Sequence, residues 1–180
     1  MEEMTNIYLI GPMGSGKTTI GGILAKKLGL VFYDSDKEIE YKTGVEISHI
    51  FDKEGELGFR LREKNLILEL VKLKSIILST GGGSIISKEV RKSLEQTGIV
   101  IFLDTNIEKQ LLNTSYNNDR PLLKEKNKRE KLEELYRLRK PLYTNIANIH
   151  ISTNDKEINI VIEEIIMKLK NFRENKRPMD

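Results

Sequence analysis

The chain has 180 residues, of which 38% are hydrophobic and 32% charged, and its formal net charge is +3. Such a length and composition are typical of one folded domain and exclude an intrinsically disordered chain. The weak basic excess gives no support for a nucleic-acid or membrane partner, no apolar stretch approaches the length of a membrane span, and the absence of cysteine excludes disulfides and cysteine-based zinc sites. The start at 1–6 is acidic and lacks the apolar run of a signal peptide, so we expect a cytoplasmic enzyme.

The first predicted unit is a strand, a loop and a helix. Residues 6–10, NIYLI, form an apolar run that predicts a short buried strand. The stretch GPMGSGKT at 11–18 follows it directly, and apolar residues at helical spacing then continue to Gly29, a plausible helix stop.

The rest of the chain alternates between predicted strands and helices. The continuous apolar run IVIFL at 99–103 suits a strand buried on both faces. Such alternation predicts a parallel, helix-covered α/β sheet in a single domain over residues 1–172, followed by a disordered tail at 173–180. The further predicted strands are 31–33, 75–79, 99–103 and 149–152, and the further helices are 36–43, 46–51, 56–74, 88–96, 107–114, 129–139 (ending before Pro141) and 158–170.

The loop at 11–18 matches the pattern G-x-x-x-x-G-K-[ST] between a predicted strand and a predicted helix. Glycines in such a loop let successive backbone N–H groups converge on phosphate oxygens at a helix N-terminus. Lys17 is placed to reach the β- and γ-phosphates, and the Thr18 hydroxyl to bind Mg²⁺. We therefore predict a magnesium-dependent nucleoside triphosphate site, against the alternative of a glycine-rich turn that only happens to contain Lys-Thr.

Two classes of nucleotide-binding protein are excluded because the sequence lacks features that they need. A GTPase switch would need a base-reading segment resembling N-K-x-D, which the sequence lacks, and a motor or large ATPase would need a longer chain. A small-molecule or nucleotide kinase fits best.

Four polar clusters are candidates for holding an acceptor, because ligands of open parallel sheets bind at the carboxyl ends of the strands. Taken singly, each has a structural alternative: the aspartates could only cap a helix, the Arg–Glu pair could be a surface ion pair, and the glycines could be a flexible turn. Taken together the clusters favour a site for a phosphate acceptor, because the planar guanidinium of arginine binds carboxylate and phosphate oxygens bidentately. A polar segment with arginines near its ends is typical of a lid that closes over phosphates. The clusters are Asp34-Ser35-Asp36, Arg60 with Glu63, Gly81-Gly82-Gly83, and Arg120 joined by Arg139.

These motifs, in this order and spacing, make the sequence resemble the shikimate kinases, of the nucleoside monophosphate kinase-like group of P-loop folds. The pieces that carry the resemblance are GPMGSGKTTIG, FYDSDKEIE, TGVEISHIFDKEGELGFRLRE, STGGGS, RPLL and RKPLY, and the match runs from about residue 6 to 169. The resemblance implies a three-layer α/β/α fold around a five-stranded parallel sheet in the order 2-3-1-4-5. It also implies an acceptor-binding region at about 34–62 and a lid at about 114–127.

The resemblance further implies the activity: Mg²⁺-dependent transfer of the γ-phosphoryl group of ATP to the 3-hydroxyl of shikimate, in the route to chorismate and aromatic amino acids. Lys17, Asp36 and Arg120 would be catalytic, Thr18 and Asp34 would bind the metal, and the protein would be a monomer. The implied ATP-binding residues are Gly11, Met13, Gly14, Ser15, Gly16, Lys17, Thr18, Thr19, Asn113, Arg120 and Asn154. The implied shikimate-binding residues are Asp36, Phe51, Phe59, Arg60, Glu63, Gly81, Gly82, Gly83 and Arg139.

One position departs from the family pattern. Many members carry Arg where this chain has Asn113, and that arginine packs on adenine, so we expect weaker or less selective adenine binding here, with help from residues 152–156. Two other functions stay open at this point: a related kinase acting on gluconate or a nucleoside monophosphate, and a catalytically dead nucleotide-binding module.

Overall fold

The computed structural model describes residues 5–115 and 127–175. Its first unit forms as predicted: strand β1, Asn6–Ile10, is buried throughout, and helix α1, Lys17–Leu28, ends at Gly29 in the left-handed conformation. The other strands are β2 (Val31–Asp34), β3 (Ile76–Ser79), β4 (Gly98–Asp104) and β5 (Ile149–Ser152). The other helices are α2 (Ser35–Thr43), α3 (Ile47–Leu70), α4 (Lys88–Thr97), α5 (Ile107–Ser115), α6 (Lys128–Ile146) and α7 (Ile158–Asn175), with a 3₁₀ turn at Ser84–Ile86.

The five strands form one parallel sheet in the order β2-β3-β1-β4-β5, which confirms the predicted topology. Successive side chains of β1 point to opposite faces. Tyr8 and Ile10 pack in a core beneath α3, α4 and α6, whereas Ile7 and Leu9 pack in a second core beneath α1 and α7. The molecule therefore has the three layers expected of this fold, and the carboxyl ends of all strands meet at one edge.

Helix α3 joins two helices that the sequence predicts separately. Gly55 lies inside it with φ 69° and ψ −176°, a conformation that interrupts the helical path between the predicted elements at 46–51 and 56–74. The second piece ends at Leu70, four residues earlier than predicted. The chain then turns toward β3 through Ser75, which has a positive φ of 57°.

The predicted end of a helix before Pro141 is wrong, because α6 continues through Pro141 to Ile146. Proline removes one backbone hydrogen bond from a helix. Burial beyond it offsets that loss, since Tyr143 is fully buried and stacks on Phe102 with ring centroids 5.1 Å apart.

Helix α7 also runs further than predicted, to Asn175 rather than residue 170. Phe172 packs against the core beneath α1 and α7, which accounts for the extra turn. The rest of the predicted tail, residues 176–180, lies outside the described residues. Within 5–115 and 127–175, no helix is both long and apolar enough to cross a membrane.

Candidate active site

The glycine-rich loop between β1 and α1 wraps around the side chain of Lys17. Gly14 and Gly16 have φ values of 76° and 87°, which residues with side chains rarely adopt. Lys17 Nζ donates to the carbonyl oxygens of Gly11 at 2.9 Å and Pro12 at 2.8 Å. The ammonium group of Lys17 is thereby held inside the loop, beside the first turn of α1.

The start of α1 leaves backbone N–H groups available to a ligand. Its N-cap, Gly16, has no side chain that could accept a hydrogen bond from the first turn. The first N–H groups of a helix have no partner within the helix, and the helix dipole favours negative charge there. The loop and helix start are therefore built to hold phosphate oxygens.

A cavity of about 600 Å³ opens in front of this loop. Its phosphate-loop wall contains the predicted residues Gly14, Ser15, Gly16, Lys17, Thr18 and Thr19. Asp34, Asp36, Ser79, Thr80, Gly81 and Gly82, from the ends of β2 and β3, form a second wall, and Lys109, Asn113, Thr153 and Lys156 lie on a third side. The residues predicted to bind phosphate and both predicted aspartates thus share one cavity.

Asp34 contacts both the phosphate loop and the start of α2. Its Oδ2 accepts a hydrogen bond from Thr18 Oγ1 at 2.5 Å, while its Oδ1 accepts from the backbone N–H groups of Asp36 and Lys37. Asp34 therefore caps α2 and also meets the residue predicted to bind metal.

The Thr18 and Asp34 oxygens fit a magnesium ion, which prefers hard oxygen ligands and is usually held by one or two carboxylates together with substrate phosphates. In residues 5–115 and 127–175, no group of three or more His, Cys, Asp or Glu side chains could hold a metal ion by itself. Thr18 and Asp34 would therefore hold a magnesium ion together with other oxygens, such as those of water and of nucleotide phosphates.

The glycines after β3 make room for charged side chains. A Cβ atom added to Gly81 would overlap Glu63 Oε1 and would lie 3.2 Å from Asp36 Oδ1, so both carboxylates border this one residue. A Cβ atom at Gly83 would overlap the guanidinium of Arg60. Close approach, and not a flexible turn, explains the glycines at 81 and 83.

Arg60 and Glu63 form a largely buried ion pair, with Nη1 and Oε2 2.6 Å apart and the Glu63 side chain only 1% exposed. Burial raises the pKa of Glu63, and the neighbouring guanidinium groups of Arg60 and Arg139 offset part of that rise. Burial also disfavours the charged form of Arg60, but the carboxylates of Glu63 and Glu56 outweigh it and raise the pKa of that guanidinium. The pair is thus more than a solvated surface contact.

Two phenylalanines support this arginine. The Phe59 ring lies 5.2 Å beneath the Arg60 guanidinium and 4.8 Å from the ring of Phe51. Phe59 is 4% exposed and belongs to the core beneath α3, whereas Phe51 is half-buried against that core. The predicted lining role therefore suits Phe51 better than Phe59.

Arg139 is buried in α6, and this burial lowers the pKa of its guanidinium. One turn later in the helix, the Tyr143 hydroxyl donates to the carbonyl of Gly82. Burial raises the pKa of Tyr143, and the positive charge of Arg139 opposes that rise. These contacts bring α6 to the glycines after β3.

The structure does not place every predicted acceptor residue in the main cavity. Asp36, Gly81 and Gly82 line it, but Arg60, Glu63 and Gly83 line a neighbouring cavity of about 290 Å³. Arg139 borders a narrow gap beside Tyr143, together with Met13, which was predicted to bind ATP and not the acceptor. The two groups of residues meet at Gly81, because the carboxylates of Asp36 and Glu63 both lie next to it.

Of Asn113 and Asn154, both predicted to bind ATP, one lies in the cavity wall and one does not. Asn113 lines the cavity, and its Nδ2 donates to the carbonyl of Gly14 at 2.7 Å. Asn154 is absent from the wall among the described residues, and its Oδ1 instead accepts from Asn106 N and Thr105 Oγ1. The expected effect of Asn113 on adenine binding stays a prediction.

Of the two lysines in this wall, Lys109 was missed by the sequence analysis, whereas Lys156 belongs to the stretch 152–156 that was expected to help adenine binding. The first could have been found from spacing, because it lies four residues before Asn113 and so shares its face of α5. The second lies in the turn after β5, in the polar stretch next to Asn154. Arg120 and most of the predicted lid at 114–127 lie outside the described residues.

The alternative that this chain is a gluconate kinase is supported only by a similarity of fold. A gluconokinase from Sinorhizobium meliloti 1021 superposes with a TM-score of 0.58 over 95% of this chain and 94% of its own, but only 13% of residues are identical.

Two relatives and a family match assign the chain more closely. The sequence model of the shikimate kinase family matches residues 13–170. A shikimate kinase of Buchnera aphidicola subsp. Baizongia pistaciae is 53% identical over 174 residues, which cover 96% of this chain and all of the relative. The structure of a shikimate kinase from Acinetobacter baumannii in complex with shikimate superposes with a TM-score of 0.90 at 47% identity, covering 93% of this chain and 94% of its own. These matches confirm the resemblance seen in the motifs, and the chain belongs to the shikimate kinase family.

Proposed function

We propose that this chain transfers the γ-phosphoryl group of ATP to the 3-hydroxyl of shikimate, giving ADP and shikimate 3-phosphate on the route to chorismate. One observation carries the proposal: Gly81 joins the phosphate-loop cavity, through Asp36, to the buried pair of Glu63 and Arg60. A phosphate donor and a carboxylate-bearing acceptor can therefore lie side by side. The A. baumannii relative, whose structure contains shikimate, supports the choice of acceptor.

The nucleotide is held by the loop and by Lys17. The Lys17 ammonium donates to the carbonyls of Gly11 and Pro12, so it lies where the loop's N–H groups converge. Binding of the β- and γ-phosphates would replace these carbonyls with more negative oxygens, and charge-assisted hydrogen bonds of this kind are stronger than neutral ones. Lys17 thereby holds the γ-phosphate while charge shifts toward the leaving oxygen.

Thr18 and Asp34 would hold the magnesium ion that accompanies ATP. Their oxygens already meet at 2.5 Å at the start of α1. When bound, the ion would supply positive charge that offsets the negative charge of the phosphates. Asp34 keeps its position with or without the ion, because its other oxygen caps α2.

The acceptor carboxylate would be held by Arg60 and Arg139. Glu63 binds Arg60 through Nη1 and fixes the direction of its guanidinium, which leaves further N–H groups of the fork for a ligand. Tyr143, four residues after Arg139 on the same helix face, anchors α6 to Gly82. Two arginines on separate elements would thus grip one carboxylate.

Asp36 would orient the attacking hydroxyl. Its carboxylate borders the main cavity next to Gly81, between the phosphate loop and the arginine pair. In the step, a bond forms between the hydroxyl oxygen and the γ-phosphorus, the bond from phosphorus to the β-bridging oxygen breaks, and the hydroxyl proton passes to Asp36. Positioning of this kind accounts for most of the catalysis in phosphoryl transfer. Arg120, whose assignment rests on the family resemblance, would add positive charge at the transferring group.

We also infer that the protein works as a monomer in the cytoplasm. The monomer is inferred from the resemblance to the shikimate kinases, and the cytoplasm from ATP as co-substrate. Sedimentation of the purified protein with and without substrates would test the monomer.

The proposed activity is tested by a coupled assay for ADP with ATP, Mg²⁺ and a panel of acceptors: shikimate, gluconate, AMP and CMP. We expect turnover with shikimate alone, and we expect Lys17→Met to abolish it while the far-ultraviolet circular dichroism stays unchanged. Turnover only with gluconate or a nucleotide would replace shikimate with the related kinase function. No turnover with any acceptor would favour a nucleotide-binding module without catalysis.

A further inference from the structure

A cluster of polar side chains outside the substrate cavities holds α6 to the sheet. At its centre is Asp104, the last residue of β4, whose side chain is 17% exposed. Asp104 Oδ1 accepts a hydrogen bond from the Tyr136 hydroxyl at 2.5 Å, and Oδ2 lies 3.6 Å from Lys140 Nζ. The Lys140 ammonium also lies 5.0 Å above the Tyr136 ring, so these three side chains form one compact group.

The position of Asp104 itself is fixed by the sheet. Its carbonyl accepts from Thr153 through both the backbone N–H at 2.9 Å and the hydroxyl at 3.1 Å. On the β5 side, His150 Nε2 lies 3.2 Å from Asp104 Oδ2, and the imidazole stacks on Phe102. The carboxylate therefore projects from a rigid part of the molecule toward α6.

Arg139 lies on α6 between two such anchors. Tyr136 and Lys140 contact Asp104 on one side, and Tyr143 contacts Gly82 on the other. These residues recur at the three- and four-residue spacing that shares one helix face. The buried Arg139 is on that face as well.

The helix needs anchors at this point, because Pro141 interrupts its backbone. Proline cannot donate the hydrogen bond that the helix would otherwise make to the carbonyl of residue 137. The backbone on either side of Arg139 is thus held less firmly by the helix itself. The contacts of α6 with Asp104 and Gly82 help to hold this part of the helix in position.

We propose that Asp104 is a positioning residue for Arg139: its carboxylate holds α6 against the end of β4 so that Arg139 reaches the acceptor. Asp104 does not line either substrate cavity among the described residues, so its effect passes through the helix. The phenol of Tyr136 suits this role as a neutral donor, since burial and the bond to Asp104 raise its pKa. The inference rests on the proposed function, because it needs Arg139 to hold the acceptor carboxylate.

The test compares steady-state kinetics of Asp104→Asn, Tyr136→Phe and the double variant with the wild type. A displaced Arg139 weakens acceptor binding and leaves the phosphate loop intact. We therefore expect the KM for shikimate to rise at least about fivefold in each single variant, while the KM for ATP stays within about twofold. Because both substitutions break one contact, the double variant should show little more than the larger single effect.

Two matched variants control for general loss of stability. His150→Gln removes the imidazole that contacts Asp104 Oδ2 and stacks on Phe102, but it leaves the bond between Asp104 and Tyr136 in place. Glu69→Gln breaks an exposed ion pair with Lys42 that has an Nζ–Oε2 distance of 2.6 Å. Both should keep the wild-type KM for shikimate. An equal rise in either control would overturn the inference, as would an unchanged KM for shikimate in both Asp104→Asn and Tyr136→Phe, or equal rises in the two KM values.

Arg139→Lys separates this inference from the proposed function. If the lysine variant raises the KM for shikimate and the Asp104 and Tyr136 variants do not, the positioning role is wrong while the acceptor site stands. If Arg139→Lys leaves that KM unchanged, the proposed role of Arg139 is wrong, and the positioning role fails with it.

Discussion

Asp34 and Asp36 stand two residues apart at the end of β2, yet their carboxylates have different neighbours. Asp34 binds Thr18 and caps α2, whereas Asp36 borders Gly81 on the acceptor side of the cavity. The choice between a helix cap and a functional site, left open by the sequence, is thus not exclusive for Asp34. One carboxylate both caps α2 and lines the cavity.

Replacing each aspartate with asparagine should impair a different step of catalysis. Asn is still a good helix cap, so Asp34→Asn should keep the fold and raise the Mg²⁺ concentration needed for half-maximal rate. Asp36→Asn should raise the KM for shikimate and lower kcat by about 10²-fold or more, because a positioned proton acceptor is lost. Titrating Mg²⁺ and shikimate separately with each variant checks both, and the same response from the two variants would contradict their division of roles.

Glu63 gives the acceptor site a pH signature in stability. Its pKa in the folded protein is raised by burial above the ordinary value of about 4.3, so the folded state binds this proton more tightly than the unfolded chain. The stabilising contribution of this proton is therefore complete below the ordinary value and is lost as the pH rises through the folded-state pKa. Glu63→Gln carries no such titration.

We accordingly expect the free energy of unfolding of the wild type, minus that of Glu63→Gln, to decrease as the pH is raised from about 4. Urea unfolding followed by circular dichroism at several pH values measures this difference. An increase with rising pH would mean that Arg60 and Arg139 hold the pKa of Glu63 below its ordinary value.

At the scale of elements, the turn after β3 shows why space, and not backbone conformation, selects glycine. Gly83 has φ −99° and ψ −4°, which alanine adopts without strain. A Cβ atom there would nevertheless overlap the Arg60 guanidinium, whose Nη1 would be only 2.7 Å away. Arg60 cannot easily yield, because Glu63 binds it in a largely buried pair.

Gly83→Ala should therefore displace Arg60 and raise the KM for shikimate about tenfold, which corresponds to about 1.4 kcal/mol. Gly22→Ala is the matched control, because a Cβ atom in the middle of α1 would meet only Phe32 Cδ1, at 4.0 Å. That control should keep the wild-type KM and gain up to about 1 kcal/mol in free energy of unfolding from helix propensity. Equal KM values for shikimate in the two variants would show that Gly83 does not make room for Arg60.

The bounds of a helix or strand were predictable where a local sequence pattern determines them. The apolar runs of β1 and β4 and the glycine stop of α1 lie where the sequence places them. The continuation of α6 through Pro141 was not predictable from local preference, because burial of Tyr143 on Phe102 decides it. Likewise, no pattern shows that Phe172 extends α7 by packing on the core.

Over the whole molecule, the sequence predicts which residues gather at the carboxyl edge of the sheet but not the direction of each side chain. Asp34 and Asp36 enter the cavity as expected, whereas Asn154 turns to bind Asn106. Lys109 and Asp104 were missed because each is an unremarkable charge until the parallel sheet brings α5, α6 and β5 to the same edge. Side-chain direction is a property of the packed fold.

The central claim is that this edge presents one hydroxyl of shikimate in line with the γ-phosphate of ATP. The most direct measurement is ³¹P–¹H NMR of the product formed from ATP, Mg²⁺ and shikimate, together with the amount of ADP released. We predict a single phosphate ester on the 3-hydroxyl and one ADP for each ester formed. Phosphate on another hydroxyl, or release of ADP without an ester, would contradict the account.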